Sequence, residues 1–387
     1  MIHHRKPVIA IYTTHYLTVS MTFIYRQLLG VVDDFDAIVL AEGVGNLDLF
    51  PFASIYTKKR SLLERIYCKI ARILTGKYAV ISPLQAKYWG KILHDSGVKL
   101  IHAHFGPSAL EMLPLAKALN LPLIVTFHGF DASVLLQDTR YISSLHELFE
   151  YAHIITVSKV MADRLLEIGA KPDRTHVHYI GVPLEDFRFV PRSPIGEKII
   201  NMEQIRFLQV SNFVEKKGHY YTVKAFRDFI AHYPNCTLTL AGEGPLQQII
   251  RNLCDELGIS DKVQFAGRVA KEQVIELMER SDIFLHHSVT AANGDQEGIP
   301  TVLMEAMAMG LIVISSYHSG IPELIEDGRT GFLVVEKDIS SYVQTMLTAI
   351  NASPNLPLLA SHSIHTSFNM EIQNNKLKQI YKSIINI

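Results

Sequence analysis

The stretch from residue 205 to residue 241 reads IRFLQVSNFVEKKGHYYTVKAFRDFIAHYPNCTLTLA. It contains two short apolar runs, Ile205–Val210 and Thr237–Ala241, separated by the amphipathic segment His219–His232, which is long enough for a helix. Strand–helix–strand units of this kind predict a parallel sheet that is covered by helices. The same alternation runs along most of the chain, so the sequence predicts an α/β fold. Further strands are predicted at Pro7–Tyr12, Ala37–Leu40, Leu100–Ala103, Leu123–Thr126, Ile154–Val157, His176–Tyr179, Val263–Phe265, Ile283–His286 and Ile312–Ser315.

The alternation breaks once, which predicts two domains. The polar, proline-bearing stretch Pro191–Glu197 interrupts it, and strand and helix patterns restart afterwards. We expect an N-terminal domain over 1–183, a linker over 184–203, a second domain over 204–365, and a C-terminal helix over 366–387 that packs back on the first domain. Two halves of this make-up predict two Rossmann-like domains facing a central cleft, with ligands bound at the carboxyl ends of the strands.

Composition and charge exclude several classes of protein. With 387 residues the chain is long enough for two α/β domains, and its net charge of −1 gives no field that favours nucleic acid. Its three cysteines, Cys68, Cys236 and Cys254, lie far apart, so we expect neither a disulfide framework nor a zinc site and favour a reducing compartment. The first apolar run is too short for a signal peptide, and no run is long enough to span a membrane. A cytoplasmic protein is expected, or one peripheral on the inner face of the membrane.

Two glutamates with seven residues between them, Glu297 and Glu305, form the strongest functional signal. Pro300 and Thr301 suit the first turn of a helix, which places Glu297 in the preceding loop and Glu305 one turn inside the helix. The start of a helix offers unpaired backbone N–H groups and a positive dipole potential, so it is suited to bind a diphosphate. A carboxylate accepts hydrogen bonds from hydroxyls in a defined geometry, as sugar and ribose binding require.

Two segments of the second domain, Glu297–Gly310 and Ser319–Leu333, resemble the signature of the family-four retaining glycosyltransferases, which have the two-Rossmann (GT-B) fold. The sequence of Thr290–Pro300 resembles the corresponding segment of the subgroup that builds colanic acid and related exopolysaccharides. The resemblance covers the second domain nearly whole and reaches the first at several points. It implies metal-independent, retaining transfer of a hexosyl group in cell-surface polysaccharide synthesis. The implied donor is a nucleotide sugar, UDP- or GDP-linked, the implied acceptor is a saccharide or a lipid-linked saccharide, and no cofactor is implied.

The resemblance assigns roles to residues of the second domain. Glu305 would bind the ribose, Glu297 would hold donor-sugar hydroxyls, and Lys217 would neutralise the charge that develops on the leaving diphosphate. Asn212 stands in the donor site where the family commonly has an arginine. The other donor-binding residues that the resemblance implies are Arg268 and Val269 near the nucleobase, and Gly298, Ile299, Pro300, Thr301 and Val302 near the sugar or the phosphates.

The first domain contributes histidines at strand ends. His128, in the segment Phe127-His-Gly129, follows a predicted strand and matches the family's histidine beside the reacting sugar, so the resemblance places it with Lys217 and Glu297 in the catalytic set. His104 and Asp131 are the acceptor-binding residues that it implies. Packed, structural roles remain an alternative for both histidines. Neither has a carboxylate at metal-ligand spacing, so no metal site is expected.

Two substitutions keep other classes of function open. Asn212 replaces the common arginine, and Met21 replaces the glutamate of the exopolysaccharide subgroup's Ser-Glu-Thr-Phe pattern. With two working positions changed, a non-catalytic sugar-nucleotide-binding subunit is an alternative. A nucleotide-sugar epimerase can share the fold and is a second alternative, although it would be expected to lack the spacing of Glu297 and Glu305.

A basic amphipathic helix is predicted outside these motifs. Ser61 and Glu64 form a capping box that opens a helix continuing to about Leu74. Two roles are open, because the apolar face can pack on the first domain, or the helix can touch anionic lipid or a lipid-linked acceptor. The apolar face is Leu62, Ile66, Tyr67, Ile70, Ile73 and Leu74, and the basic residues around it are Lys58, Lys59, Arg60, Arg65, Lys69, Arg72 and Lys77.

Overall fold

The computed structural model describes residues 6–17, 22–48 and 50–386. Met21 lies outside the described residues. The chain divides into two compact units. The first unit comprises Met1–Ile180 together with Glu371–Ile387, and the second unit comprises Gly181–Met370.

The first unit is built on a parallel sheet. In chain order its strands are β1 (Val8–Tyr16), β2 (Asp36–Val44), β3 (Ile55–Thr57), β4 (Val98–His104), β5 (Leu123–Phe127), β6 (His153–Thr156) and β7 (Thr175–Val177). Among the described residues they lie side by side in the order β3-β2-β1-β4-β5-β6-β7. The chain moves outward from β1 to β3 and then returns to the other side of β1 with β4. Loops that leave the sheet at such a switch point diverge, and ligands bind there in α/β folds.

Helices cover both faces of this sheet. They are α1 (Thr22–Val31), α2 (Leu62–Thr75), α3 (Pro83–Asp95), α4 (Gly106–Ala118), α5 (Thr139–Tyr151) and α6 (Lys159–Glu167). Side chains of β1 alternate between the two layers, since Ala10 and Tyr12 are buried in one apolar cluster and Ile9 and Ile11 in another. A parallel sheet buried on both faces needs apolar residues on both, which is why its strands read as continuous apolar runs.

The second unit repeats the plan. Its strands are β8 (Ile205–Val210), β9 (Cys236–Ala241), β10 (Val263–Gly267), β11 (Ile283–His286), β12 (Ile312–Ser316) and β13 (Phe332–Val334), and its helices are α7 (Ile195–Ile200), α8 (His219–Ile230), α9 (Gln247–Glu256), α10 (Lys271–Glu279), α11 (Thr301–Ala308), α12 (Ile321–Leu324), α13 (Ile339–Ala349) and α14 (Leu356–Ser363). Within the part of the chain that the structure describes, the strand order is β10-β9-β8-β11-β12-β13, all parallel. The order reverses between β8 and β11. The two sheets confirm the predicted pair of Rossmann-like domains.

The segment predicted as a linker, 184–203, is part of the second unit in the structure. Ile195 is buried in the apolar core of that unit. The guanidinium of Arg192 donates hydrogen bonds to the carbonyl oxygens of Met278 and Ser281. The proline-bearing composition therefore marks the change of unit, but the segment itself is packed.

The last helix, α15 (Met370–Ile385), lies almost entirely in the first unit. Its Leu377 and Tyr381 are buried in an apolar cluster with residues of α1 and β1. The Tyr381 hydroxyl lies 2.6 Å from Nδ1 of His102 on β4. The chain thus leaves the first unit after Ile180 and returns to it with this helix.

Candidate functional site

Two loops leave the second sheet at its switch point. The loop 211–218 follows β8, the loop 287–300 follows β11, and these strands are neighbours. Gly218 ends the first loop with φ of +63°, and a Cβ on it would lie 1.8 Å from the carbonyl oxygen of His287. The loops are therefore in direct contact, and only glycine fits at their closest approach.

An ion pair joins the two loops. Nζ of Lys217 lies 2.7 Å from Oε1 of Glu297, and both side chains are mostly buried. Burial by itself would raise the pKa of Glu297, but the positive charges of Lys217 and Lys216 outweigh it, so this pKa lies below its ordinary value. Glu297 is therefore ionised and holds the lysine amine in a fixed position.

Further contacts hold the same loops in register. Lys216 pairs with Asp295 at 3.0 Å. The N–H of Ala292 donates to Oε1 of Glu215 at 3.0 Å. The N–H of Val289 donates to the carbonyl oxygen of Lys216, also at 3.0 Å. The whole run 215–217 thus contacts the loop after β11, which fixes the separation of the two charges.

A second network fixes the backbone of Glu297. Its N–H donates to Nε2 of His318 at 3.1 Å, so the proton of the neutral imidazole is on Nδ1. Nδ1 donates to Oε1 of Glu336 at 2.6 Å. The other oxygen of Glu336 accepts from the N–H of Thr290 at 2.8 Å. Glu336 therefore holds both ends of the segment 290–297, one directly and the other through His318.

Sequence reasoning missed both members of this network. His318 comes two residues after β12, at the carboxyl end of a predicted strand, and this position was a usable signal. Glu336 comes two residues after β13, which is a strand of three residues that the sequence did not predict. No sequence feature singles out Glu336, since an acidic residue in a loop is ordinarily solvated.

The predicted helix start after Glu297 is confirmed. Pro300 precedes the first residue of α11, and Glu305 lies in the second turn. The first backbone N–H groups of a helix lack intrahelical partners and carry a partial positive charge. This helix start therefore adds positive potential four residues after Glu297. Of the predicted donor residues here, Gly298, Ile299 and Pro300 are buried, and Thr301, Val302 and Glu305 are half-buried.

The remaining predicted donor residues lie at other strand ends of the same sheet. Asn212 follows β8 and is exposed. Arg268 directly follows β10 and is exposed, and Val269 is half-buried. Because β9 lies between β8 and β10, Arg268 is two strands away from the loop that carries Lys217. The structure thus brings Lys217 and Glu297 together and places Arg268 further along the same edge.

In the first unit, His104 and His128 form a pair at the ends of β4 and β5. Nδ1 of His104 lies 3.1 Å from Nε2 of His128, and the rings stack with centroids 5.3 Å apart. Phe23 and Phe105 pack against the His128 ring. Burial lowers the pKa of His104 to about 3, and burial and the neighbouring His104 lower the pKa of His128 well below its ordinary value. Both rings are therefore neutral near pH 7, and Nδ1 of His128 has no hydrogen-bond partner among the described residues.

Asp131 lies beneath this pair. Its side chain is 1% exposed. Its carboxylate accepts from the N–H groups of His128 and Gly129, at 2.9 and 3.2 Å, and from the N–H of Gly106 at 2.9 Å. Burial raises the pKa of Asp131, and these N–H groups offset the rise only in part. The geometry indicates that Asp131 positions the His128 turn against the start of α4, and a direct contact with the acceptor stays a prediction.

Cys68, Cys236 and Cys254 are free and buried. Burial raises the pKa of Cys236 to about 12 and that of Cys254 to about 11, so these thiols stay protonated. In the described ranges, no group of three or more His, Cys, Asp or Glu side chains is arranged to hold a metal ion.

Models of two glycosyltransferase families match the chain. The model described as Glycosyltransferase Family 4 matches residues 53–186, within the first unit and slightly beyond it. The model described as Glycosyl transferases group 1 matches residues 195–358, which include Lys217 and Glu297. Together with the two Rossmann-like units, these matches place the chain among the two-domain glycosyltransferases.

Curated relatives specify the family. The colanic acid biosynthesis glycosyltransferase WcaL of Escherichia coli is 30% identical over 289 residues, which are 73% of this chain and 70% of that protein. The amylovoran biosynthesis glycosyltransferase AmsK of Erwinia amylovora is 30% identical over 295 residues, which are 74% of this chain and 70% of that protein. The chain therefore belongs to the family-four glycosyltransferases, and the resemblance seen in its sequence is confirmed.

Solved structures agree on the fold. HepE of Anabaena, in complex with UDP and glucose, has a TM-score of 0.77 at 18% identity, with 97% of this chain and 100% of that chain covered. Sucrose-phosphate synthase of Thermosynechococcus elongatus has a TM-score of 0.75 at 17% identity, with 98% and 100% covered. Family and fold together favour glycosyl transfer over the binding-subunit and epimerase alternatives.

Proposed function

We propose that the protein is a retaining, metal-independent glycosyltransferase that moves a hexosyl group from a UDP- or GDP-linked sugar to a saccharide or lipid-linked saccharide during exopolysaccharide synthesis. The product class is supported by WcaL and AmsK, which are named for colanic acid and amylovoran biosynthesis. The donor class is supported by HepE, whose complex contains UDP and glucose. The nucleotide sugar is a substrate, and the reaction needs no cofactor.

The observation that carries this proposal is the Lys217–Glu297 ion pair at the switch point of the second sheet. The amine of Lys217 and the carboxylate of Glu297 are mostly buried and lie 2.7 Å apart. A ligand that enters between them breaks this ion pair, so it must offer a new partner to each of the two charged groups. A nucleotide sugar does so, because its diphosphate pairs with Lys217 while its sugar hydroxyls donate to Glu297. Glu305, in the second turn of α11, accepts from the ribose.

In the transfer step, one bond breaks, one bond forms and one proton moves. The bond between the anomeric carbon and the diphosphate oxygen breaks, and its electron pair goes to that oxygen, where Lys217 and the start of α11 stabilise the charge. The acceptor hydroxyl bonds to the anomeric carbon from the same face, and its proton passes to the departing phosphate oxygen. The anomeric configuration is retained, and Lys217 supplies the positive charge that a metal would otherwise supply.

The first unit supplies acceptor-binding groups. Nδ1 of His128 bonds to a sugar hydroxyl, and His104 fixes the ring through its contact with Nε2 at 3.1 Å. A neutral imidazole has one donor and one acceptor nitrogen, so a proton on the His128 Nδ1 makes it a donor to the hydroxyl oxygen. Asp131 positions both by holding the turn that carries His128.

The two glutamates test the donor assignment. Glu305→Gln is expected to weaken binding of UDP or GDP at least about tenfold, because a ribose hydroxyl loses a charged acceptor. Glu297→Gln is expected to lower kcat while nucleotide binding is kept or tightened, because Lys217 loses its internal partner. Isothermal titration calorimetry measures the binding, and release of nucleoside diphosphate in the presence of acceptor measures turnover. Equal losses of nucleotide binding in both variants would contradict the assignment.

Stereochemistry and metal dependence need separate measurements. The anomeric configuration of the product, read by NMR, is expected to match that of the donor. The rate is expected to be unchanged by EDTA. An inverted product would overturn the retaining step, and activity lost to EDTA and restored by a divalent metal would overturn metal independence.

A further inference from the structure

Helix α2 is attached to the first unit in an unusual orientation. Its apolar side chains are Leu62 and Leu63, Ile66 and Tyr67, Ile70, and Ile73 and Leu74, and all of them are exposed. Leu63 and Leu74 are 78% and 80% exposed. At 3.6 residues per turn these side chains occupy one arc of roughly 140°. Of the two roles left open for this helix, the one in which its apolar face packs on the first domain is therefore wrong.

The helix is instead held by its polar side. Its buried side chains are Glu64 and Cys68. Glu64 accepts hydrogen bonds from the N–H of Ser61 at 2.9 Å and from the Ser82 hydroxyl at 2.8 Å, and it pairs with Lys58 at 3.1 Å. The N–H of Ser61, together with these side chains, lowers the pKa of Glu64 to about 2 against the opposing effect of burial. The predicted capping box is confirmed, and it belongs to the attachment that turns the apolar arc to solvent.

The basic residues divide into two groups. Lys58, Arg60 and Lys77 are committed to partners, since Arg60 pairs with Glu42 and Glu111, and Lys77 pairs with Glu147. Lys59, Arg65, Lys69 and Arg72 are exposed and have no ion-pair partner among the described residues. On the helical wheel, Arg65, Lys69 and Arg72 lie along one border of the apolar arc. The exposed face of α2 is thus apolar in the middle and positive along one side.

We propose that α2 docks the protein on an anionic membrane surface, lying in the plane of the interface with its apolar arc inserted among the lipids and its basic border against the headgroups. An exposed apolar arc bordered by cations is the pattern of interfacial helices. Its length of 14 residues is about 21 Å, too short to span a bilayer. Among the described residues, no helix is long and apolar enough to cross a membrane. Charge selects the partner, because the basic border requires an acidic surface.

Sedimentation with vesicles tests the docking independently of any transferase activity. The full chain is expected to bind phosphatidylcholine vesicles that contain about one third phosphatidylglycerol, and not vesicles of phosphatidylcholine alone. Added salt is expected to weaken this binding, because each basic residue near an anionic surface contributes about fivefold. Binding that is indifferent to lipid charge would overturn the proposal.

Two sets of substitutions separate the parts of the helix. The basic variant changes Lys59, Arg65, Lys69 and Arg72 to Gln, and it is expected to lower vesicle affinity by ~100-fold or more. The apolar variant carries Leu63→Ser, Ile70→Ser and Leu74→Ser and is expected to abolish binding. Both sets lie on exposed positions, so thermal unfolding is expected to be unchanged in both variants. Vesicle binding that survives both sets of changes would contradict the proposal.

Matched controls use exposed residues away from α2. The basic control changes Lys91, Lys99, Arg140 and Arg188 to Gln, which gives the same change of net charge, and the apolar control carries Ile200→Ser, Ile249→Ser and Leu358→Ser. Both controls are expected to bind vesicles like the unmodified protein. Equal losses in the controls would show that bulk charge or general surface stickiness, and not α2, causes the binding.

A fluorescent reporter distinguishes insertion from adhesion. Trp89 is the single tryptophan and is fully buried, so its emission is insensitive to the surface. Tyr67→Trp places a second indole on the apolar arc, and its emission is expected to shift to shorter wavelength with anionic vesicles. An absent shift despite binding would contradict insertion. A concentration-dependent dimer that the apolar variant abolishes, without vesicle binding by the unmodified protein, would instead make this face an interface between copies and overturn the proposal.

Discussion

Lys216 and Lys217 are adjacent in sequence but contact different acids. Lys217 pairs with Glu297 at 2.7 Å, whereas Lys216 pairs with Asp295 at 3.0 Å. Lys217→Ala is expected to lower kcat/KM, because the leaving diphosphate loses its fixed cation. The loss is expected to correspond to about 2–4 kcal/mol of transition-state stabilisation. Lys216→Ala is the matched control and is expected to cost less than about tenfold, as for a partly exposed ion pair. Steady-state release of nucleoside diphosphate measures both, and equal losses would refute the special role of Lys217.

In the proposed reaction, His318 and Glu336 act through the backbone of the segment 290–297, whose two ends they hold. Both carboxylate oxygens of Glu336 accept a hydrogen bond, one from the Nδ1–H of His318 and the other from the N–H of Thr290. The amide of Glu336→Gln has only one acceptor oxygen, so its NH₂ group faces one of these two donors. Displacing the segment 290–297 by about 1 Å is expected to lower kcat by up to ~100-fold. Binding of UDP or GDP is expected to be unchanged, because neither residue has a place in the nucleotide assignment. A proportional loss of nucleotide affinity and of folded stability would reduce the pair to a purely structural role.

For single residues, the sequence predicts which residues belong to a motif better than it predicts their burial and contacts. The motif of Glu297 and Glu305 was recognisable, and its helix start is where the pattern predicted it. The burial of Asp131 was not predictable, because a carboxylate that accepts three backbone N–H groups looks the same in sequence as one that faces a ligand. His318 and Glu336 meet 18 positions apart in the chain only because β12 and β13 are neighbouring strands.

Among the secondary-structure elements, α15 contributes a buried hydrogen bond to the first unit. The Tyr381 hydroxyl is hydrogen-bonded to Nδ1 of His102, and both residues are buried. Tyr381→Phe is expected to lower the free energy of unfolding by about 1–3 kcal/mol, since it leaves a buried ring nitrogen without a partner. Urea unfolding followed by circular dichroism measures the change. Tyr25→Phe is the control, because that hydroxyl donates to the carbonyl oxygen of Pro51 at the surface, and a loss as large as that of Tyr381→Phe would count against the argument.

Elements were predictable where their pattern was long and apolar. The central strands β4, β5, β8 and β11 are close to their predicted ranges, whereas β1 runs four residues past its predicted end at Tyr12. The edge strands β3 and β13 have three residues each and were missed, because so short a run carries no periodicity. Helix α2 was predicted with its start and its apolar face, but not with its orientation. Amphipathicity shows that one side differs from the other and leaves open which side the protein covers.

For the whole molecule, buried histidines predict sensitivity to acid. Burial lowers the pKa of each, to about 3 for His104 and His219 and to about 4 for His287. Histidines of the unfolded chain have pKa values near 6.5, so below that pH the unfolded chain binds protons while the buried rings of the folded chain stay neutral. The stability that the neutral rings contribute is complete above about pH 6.5 and is lost as the pH falls below it. The urea midpoint is expected to fall steeply between about pH 6.5 and 4.5.

A further buried histidine, His178, tests how the free energy of unfolding depends on pH. His178 is buried with a lowered pKa, and its Nε2–H donates to the carbonyl oxygen of Gln373 at 2.8 Å. His178→Gln keeps a donor but cannot titrate, so the slope of unfolding free energy against pH is expected to become shallower by up to about 1.4 kcal/mol per pH unit. His232→Gln, at an exposed position, is the control, and a change of slope in this variant as large as that of His178→Gln would count against the argument. A slope that does not respond to His178→Gln would assign the acid sensitivity to other groups.

The division of the first unit into two stretches has a consequence for how the protein is made. Residues 371–387, which complete that unit, leave the ribosome only after all of residues 181–370. Until then the cluster that receives Leu377 and Tyr381 stays open to water. The second unit is one continuous stretch and can fold as it emerges, since domains generally fold as units during synthesis. The unit that is translated first is therefore finished last, and the nascent chain carries an uncovered apolar surface for the time that the ribosome needs to translate the other unit.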